Sequence, residues 1–140
     1  MNKMDYRVIL YHKQATSART RFLRFAHESV CAFEPIPMPA QLLDDDDGKM
    51  INHPAAILQE LEKRLDFPAG CLKAETEYRH TVEVPGKRIQ IILANITTLD
   101  PPFEQAERAH AGFIDLTQAR GLPRVELELL RHAYELVLGG

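Results

Sequence analysis

The sequence predicts an α+β fold in a single domain, residues 1–140, organised around a central antiparallel hairpin at about 75–84 and 88–96. A small N-terminal strand and hairpin set, and four to five amphipathic helices, are expected to pack on that sheet. Three observations carry the expectation. From Glu75 to Val84 polar and apolar residues alternate, the period of a strand with one buried face. Pro85-Gly86 follows, Pro presetting φ and Gly accepting positive φ, so the chain turns there. The return stretch, Lys87 to Ile96, is apolar enough to be buried on both sides.

The pattern also selects a register. Setting Val84 opposite Lys87 places Glu83 against Arg88, Val82 against Ile89, His80 against Ile91 and Tyr78 against Leu93. A slip of one residue loses the opposite-charge pair and sets Val82 against Gln90.

Before the hairpin, Tyr6 to Tyr11 is an apolar run rich in strand formers, with His12 to Thr16 as its exit loop. Ser17 is placed to cap a helix whose apolar positions Ala18, Phe22, Phe25, Ala26, Ser29 and Val30 fall at helical spacing. Pro35, Pro37 and Pro39 then rule out a helix or a central strand and predict an extended connector. Gln41 to Leu43 and Lys49 to Ile51 read as a small hairpin around Asp44, Asp45, Asp46, Asp47 and Gly48. His53-Pro54 opens a helix with the stripe Ile57, Leu58, Leu61 and Leu65, ended by Pro68 and Gly70.

After the hairpin, Asp100-Pro101-Pro102 is a helix start, Asp as cap and Pro in the first turn, and the helix runs to His110 or Ala111. Asp115 with Gln118 forms a capping box for one short turn ending at Gly121. Pro123 opens the last helix, Arg124 to Leu138. Its Val125, Leu129, Ala133, Leu136 and Val137 face inward, with Glu128, Arg131, His132 and Glu135 outward.

Composition narrows the function classes. With 45% apolar and 26% charged residues the chain has the balance of a globular protein. It has no run of about 18 apolar residues that would cross a membrane, and Asp5, Arg7 and His12 interrupt any leader-like apolar stretch. A cytoplasmic protein with two reduced thiols, Cys31 and Cys71, is expected. Residues 1–30 hold six Lys/Arg against two acids, and residues 31–66 three against eight. That asymmetry points to a small-anion site near the N-terminus. It does not supply the domain-wide basic excess of a nucleic-acid binder, so no nucleic-acid or membrane partner is expected.

Few residues invite chemistry. Asp44 to Asp47 fail as a calcium loop, because placing Gly48 at position six puts Leu43 at position one and Pro54 at position twelve. They read as a solvated hairpin tip. The six histidines form no HExxH pattern, and His27 with Cys31 lacks further ligands, so no metal and no cofactor is expected. His80 reads as a hydrogen-bonded histidine of the hairpin and His132 as a surface ion-pair partner. The candidate ligand-binding residues are Lys13, Thr16, Ser17, Arg19 and His53. The first four enter the expected helix N-terminus, where free N–H groups and the dipole favour an anion. The loop has no glycine and is not a phosphate-cradling loop.

Val8-Ile9-Leu10-Tyr11 followed by Ser17-Ala18-Arg19 resembles the opening strand and first helix of glutathione-transferase-like thioredoxin-fold proteins. Met38 to Asp44 and Gly48 to Glu62 are similar to that family's proline turn, hairpin and third helix. The resemblance covers under half of the chain. It implies a cis peptide at Pro39, a thiol-activating loop around Ala15 to Ser17, and binding of glutathione or another small anion. Pro54 stands where that family places the serine that holds the glutathione carboxylate.

Two functions remain open on the residues alone. One is a non-catalytic binding or assembly module that self-associates through its hairpin and terminal amphipathic helix. The other is a thiol-ligand or small-anion enzyme or binder working at Lys13 to Arg19. Gly139-Gly140 reads as a helix end in glycine, with a conjugation tail as the rarer meaning.

Overall fold

A computed structural model describes residues 5–43 and 54–139. These residues form a mixed sheet sandwiched between helices. In chain order the elements are β1 (Asp5–Lys13), β2 (Thr20–Arg24), β3 (Gln41–Leu42), α1 (Pro54–Leu65), β4 (Leu72–Ala74), β5 (His80–Val84), β6 (Lys87–Ile96), α2 (Phe103–Arg108), β7 (Gly112–Ile114), a 3-10 turn (Leu116–Ala119) and α3 (Arg124–Gly139). The sheet runs β3-β5-β6-β1-β2-β7, with β4 also on β6.

β1 and β6 lie parallel at the centre, Asp5 opposite Ile89 through Tyr11 opposite Asn95. Parallel strands of this kind need cover on both faces, and their side chains divide accordingly. Ile9, Tyr11, Ile89, Ile91 and Leu93 point to a core closed by Leu129, Leu130 and Ala133 of α3. Val8, Leu10, Ile92, Ala94 and Ile96 point to a second core closed by Leu58, Leu61 and Leu65 of α1 and Ala106 of α2.

The β5–β6 hairpin has the expected register, Val84 with Lys87, Glu83 with Arg88, Val82 with Ile89 and His80 with Ile91. It is shorter than expected. Residues 75–79 leave the ladder in a turn where the Tyr78 amide donates to the Glu75 carbonyl. β4 takes their place on β6, with Leu72 opposite Ile96 and Ala74 opposite Ala94.

The architecture corrects the expected α+β arrangement in one respect. The fold is α+β, but among the described residues a seven-stranded mixed sheet with three α-helices replaces the hairpin carrying four to five helices. The largest single change is at residues 17–30, expected as a helix. The chain turns back at Ala18, whose φ is 56°, and β2 pairs antiparallel with β1, Tyr11 opposite Phe22 and Lys13 opposite Thr20. Phe22 and Leu23 then enter opposite cores. A helix could bury one stripe only, so two-sided burial beside β1 overrides the helical spacing.

Smaller corrections follow the same logic. Gln41 and Leu42 pair with Glu83 and Val82 of β5 and not with Lys49 to Ile51, and those residues, with Asp44 to Asp47 and His53, lie outside the described residues. α2 begins with Pro102 as N-cap and no side-chain cap. Asp100, expected as that cap, instead accepts from Gln14 Nε2 at 3.2 Å. The capping box at Asp115 and Gln118 is present, and α3 buries Val125, Leu129, Ala133 and Val137 as its spacing predicts. Met38–Pro39 is cis, as is Ala32–Phe33.

Candidate functional site

Of the residues expected to bind an anion, Lys13, Thr16, Ser17 and Arg19 sit at the β1–β2 turn, at no helix N-terminus, and His53 lies outside the described residues. Its backbone is closed internally: Gln14 N donates to Arg19 O at 2.9 Å, and Ala18 N to Gln14 O at 2.7 Å. Lys13 Nζ donates to the Val137 carbonyl at 3.3 Å. Arg19 reaches Asp115 at 3.5 Å, and Ser17 Oγ accepts from the Arg19 amide at 3.3 Å. Thr16 is exposed. The turn therefore brings Lys13, Thr16, Ser17 and Arg19 together along the chain, while the aligned N–H groups that supported an anion site belong to a helix that is not there.

The two thiols are sealed. Cys31 is fully buried, and burial together with the nearby Glu126 charge pushes its thiol far above the ordinary range. Burial and the Glu62 charge push Cys71 up to about 11. Since the thiolate is the reactive form, neither is an activated nucleophile. Both are free, and they belong to the separate cores on either side of the sheet.

Buried charges are spent on holding the chain. Arg7, 2% exposed, donates to Asp5, Glu34 and the carbonyls of Tyr6 and Pro35. Burial alone would raise the Asp5 carboxyl; the Lys87 hydrogen bond, the Tyr6 amide and the Arg7 and Lys87 charges hold it below its ordinary value. Glu62 of α1 accepts from Gly70 N at 3.0 Å and Leu72 N at 2.9 Å. Glu126 of α3 accepts from Ser29 Oγ at 2.9 Å and Val30 N at 3.1 Å. Both glutamates carry a signal in the sequence that is easily missed: each falls on the apolar stripe of its helix, Glu62 four residues after Leu58 and three before Leu65, Glu126 three before Leu129 and four before Leu130.

The histidines are likewise placed by packing. His12 is buried and its Nε2 lies 2.7 Å from the Thr98 carbonyl. A carbonyl only accepts, so Nε2 carries the proton, and Nδ1 has no hydrogen-bond partner among the described residues. His27 Nε2 contacts the Cys31 carbonyl and not its thiol. His80 and His132 stack with centroids 4.6 Å apart. Among the described residues no group of three or more His, Cys, Asp or Glu side chains converges to hold a metal ion, and no helix is long and apolar enough to cross a membrane.

Two surface features remain. A cleft of about 550 Å³ runs between α1 and residues 66–72, lined by Leu58, Phe67 and Leu72 with Gln59, Lys63 and Asp66 around it. The second feature is an apolar corner at the end of the sheet. Leu99 is 78% and Phe103 52% exposed. The Phe103 ring meets Phe113 of β7 edge-to-face at 5.5 Å, and Arg21 lies over it at 5.7 Å. Compared with known proteins, the chain matches no protein family and no curated protein.

Proposed function

We propose that the chain is a non-catalytic binding or assembly module that associates with a second copy of itself through the Leu99–Phe103 corner. The two surfaces that first suggested pairing are used internally: β6 is flanked by β1, β5 and β4, and the apolar stripe of α3 closes a core. The corner is the observation that carries the reading. It joins a half-exposed aromatic and an arginine beside β7, the last strand of the sheet, with an exposed leucine four residues before the aromatic in the chain. Aromatic and arginine side chains are the residues most enriched where protein interfaces hold their binding energy. A two-fold contact would place the same corner of each copy against the other.

Sedimentation velocity at micromolar concentration tests the reading. A dimer is expected, and Phe103→Asp is expected to shift it to monomer while the far-ultraviolet dichroism stays unchanged. A clean monomer for the unaltered chain overturns the proposal.

A further inference from the structure

Residues 25–38, between β2 and the cis peptide bond to Pro39, form an irregular connection, and its middle is fastened to α3 by one side chain. Glu126 is fully buried. One oxygen accepts from the Val30 amide and the other is 2.9 Å from the Ser29 hydroxyl, which itself accepts from the Cys31 amide at 3.0 Å. We propose that Glu126 is a proton-operated latch on this connection: the neutral carboxyl holds residues 29–31 on α3, and ionisation loosens the hold.

The geometry supplies both halves of the device. A hydroxyl can donate or accept, so a protonated Glu126 donates to Ser29 Oγ and still accepts from Val30 through its carbonyl oxygen. Neither bond is lost on protonation. Ionisation, in contrast, leaves a charge in a fully buried place, fastened by two neutral donors and with no ion-pair partner among the described residues. The groups facing it are Arg24 of β2, His27 of the connection and the Cys31 thiol. Arg24 and His27 favour the charged form, but burial is the larger influence and raises the carboxyl above its ordinary value. Opening carries the carboxyl to water, where it ionises and its proton passes to solvent. The segment that opens is small, because Ala32 is tied separately to Val8 by two backbone bonds of 2.8 and 2.9 Å.

Hydrogen exchange tests this on the whole chain. The Val30 and Cys31 amides, corrected for intrinsic exchange rates, are expected to be best protected below about pH 4.3, the value at which a free glutamate ionises. They should lose up to about tenfold protection per pH unit while the carboxyl titrates, then level off. The Leu72 amide, fastened on the other face by Glu62, should not follow. Glu126→Gln should keep the acid-level protection at every pH. No pH slope in the unaltered chain, the same slope in the variant, or a parallel loss at Leu72 would each overturn the latch. Infrared titration of the unaltered chain stands if the variant does not fold: one protonated-carboxyl stretch must persist to higher pH than those of the exposed glutamates, and its absence also overturns the proposal.

Discussion

Glu62 and Glu126 fasten a loop to a helix on opposite faces of the same sheet, and they meet different donors. Glu62 faces two backbone amides, Gly70 and Leu72. Glu126 faces one amide and one hydroxyl, Val30 and Ser29. A backbone N–H only donates, so the first site requires two acceptors. The second contains a group that can reverse its role, so it tolerates a neutral side chain of the same shape. Burial sharpens the difference, since Glu126 is sealed while Glu62 borders the open cleft beside α1.

The comparison can be broken by truncation. Glu126→Ala strands a buried amide and a buried hydroxyl and leaves a cavity, and is expected to cost about 3 kcal/mol in denaturant titration at unchanged slope. Glu62→Ala is expected to cost less, about 2 kcal/mol, because water entering the cleft can reach the freed Gly70 amide. The glutamine variants sharpen the contrast. Glu62→Gln sets an NH₂ against a backbone N–H and should cost about 1–2 kcal/mol. Glu126→Gln offers its carbonyl to Val30 and its NH₂ to Ser29 Oγ, and should stay within about 0.5 kcal/mol of the unaltered chain or exceed it near neutral pH. Equal costs for the two substitutions would remove the distinction.

The pH profile gives a third view. A carboxyl raised in the folded chain binds its proton more tightly there. The stability tied to Glu126 is therefore full below its unfolded value and is lost as pH rises through the folded one. Asp5, lowered by Lys87, Tyr6 and Arg7 against the burial that raises it, acts in the opposite sense: its contribution is present above the unfolded value and lost as pH falls. Glu126→Gln should abolish the first slope and leave the second. The smallest effect is expected at Arg124, 93% exposed and paired with Glu128 four residues on; Arg124→Ala should change stability by no more than about 0.5 kcal/mol.

What the sequence disclosed depended on length and on locality. The β5–β6 pairing was legible because alternation, a Pro-Gly turn and the Glu83–Arg88 pair all sit within one short stretch. The Asp115–Gln118 box was legible for the same reason. β2 was hidden because Ala18, Phe22 and Phe25 also fit a helix, and because its turn uses a non-glycine residue at positive φ. β4 and β7, three residues each, are too short to show a period. The helix expected beside the candidate binding loop was misplaced for the same reason as β2 was hidden, and the loop lies in the β1–β2 turn. The corner draws on three stretches of chain, Leu99 to Phe103, Phe113 and Arg21, and no local pattern announces it.

The parallel pairing of β1 with β6 has a consequence for how the chain is made. Tyr6 to Tyr11 finds its neighbour only when Gln90 to Asn95 exist, so during synthesis one of the most apolar strands waits while most of the polypeptide is still being added. Until then it has only the β1–β2 hairpin to shelter it, with neither core formed. An apolar strand that must wait for a distant parallel neighbour is the kind of element through which unfinished chains aggregate.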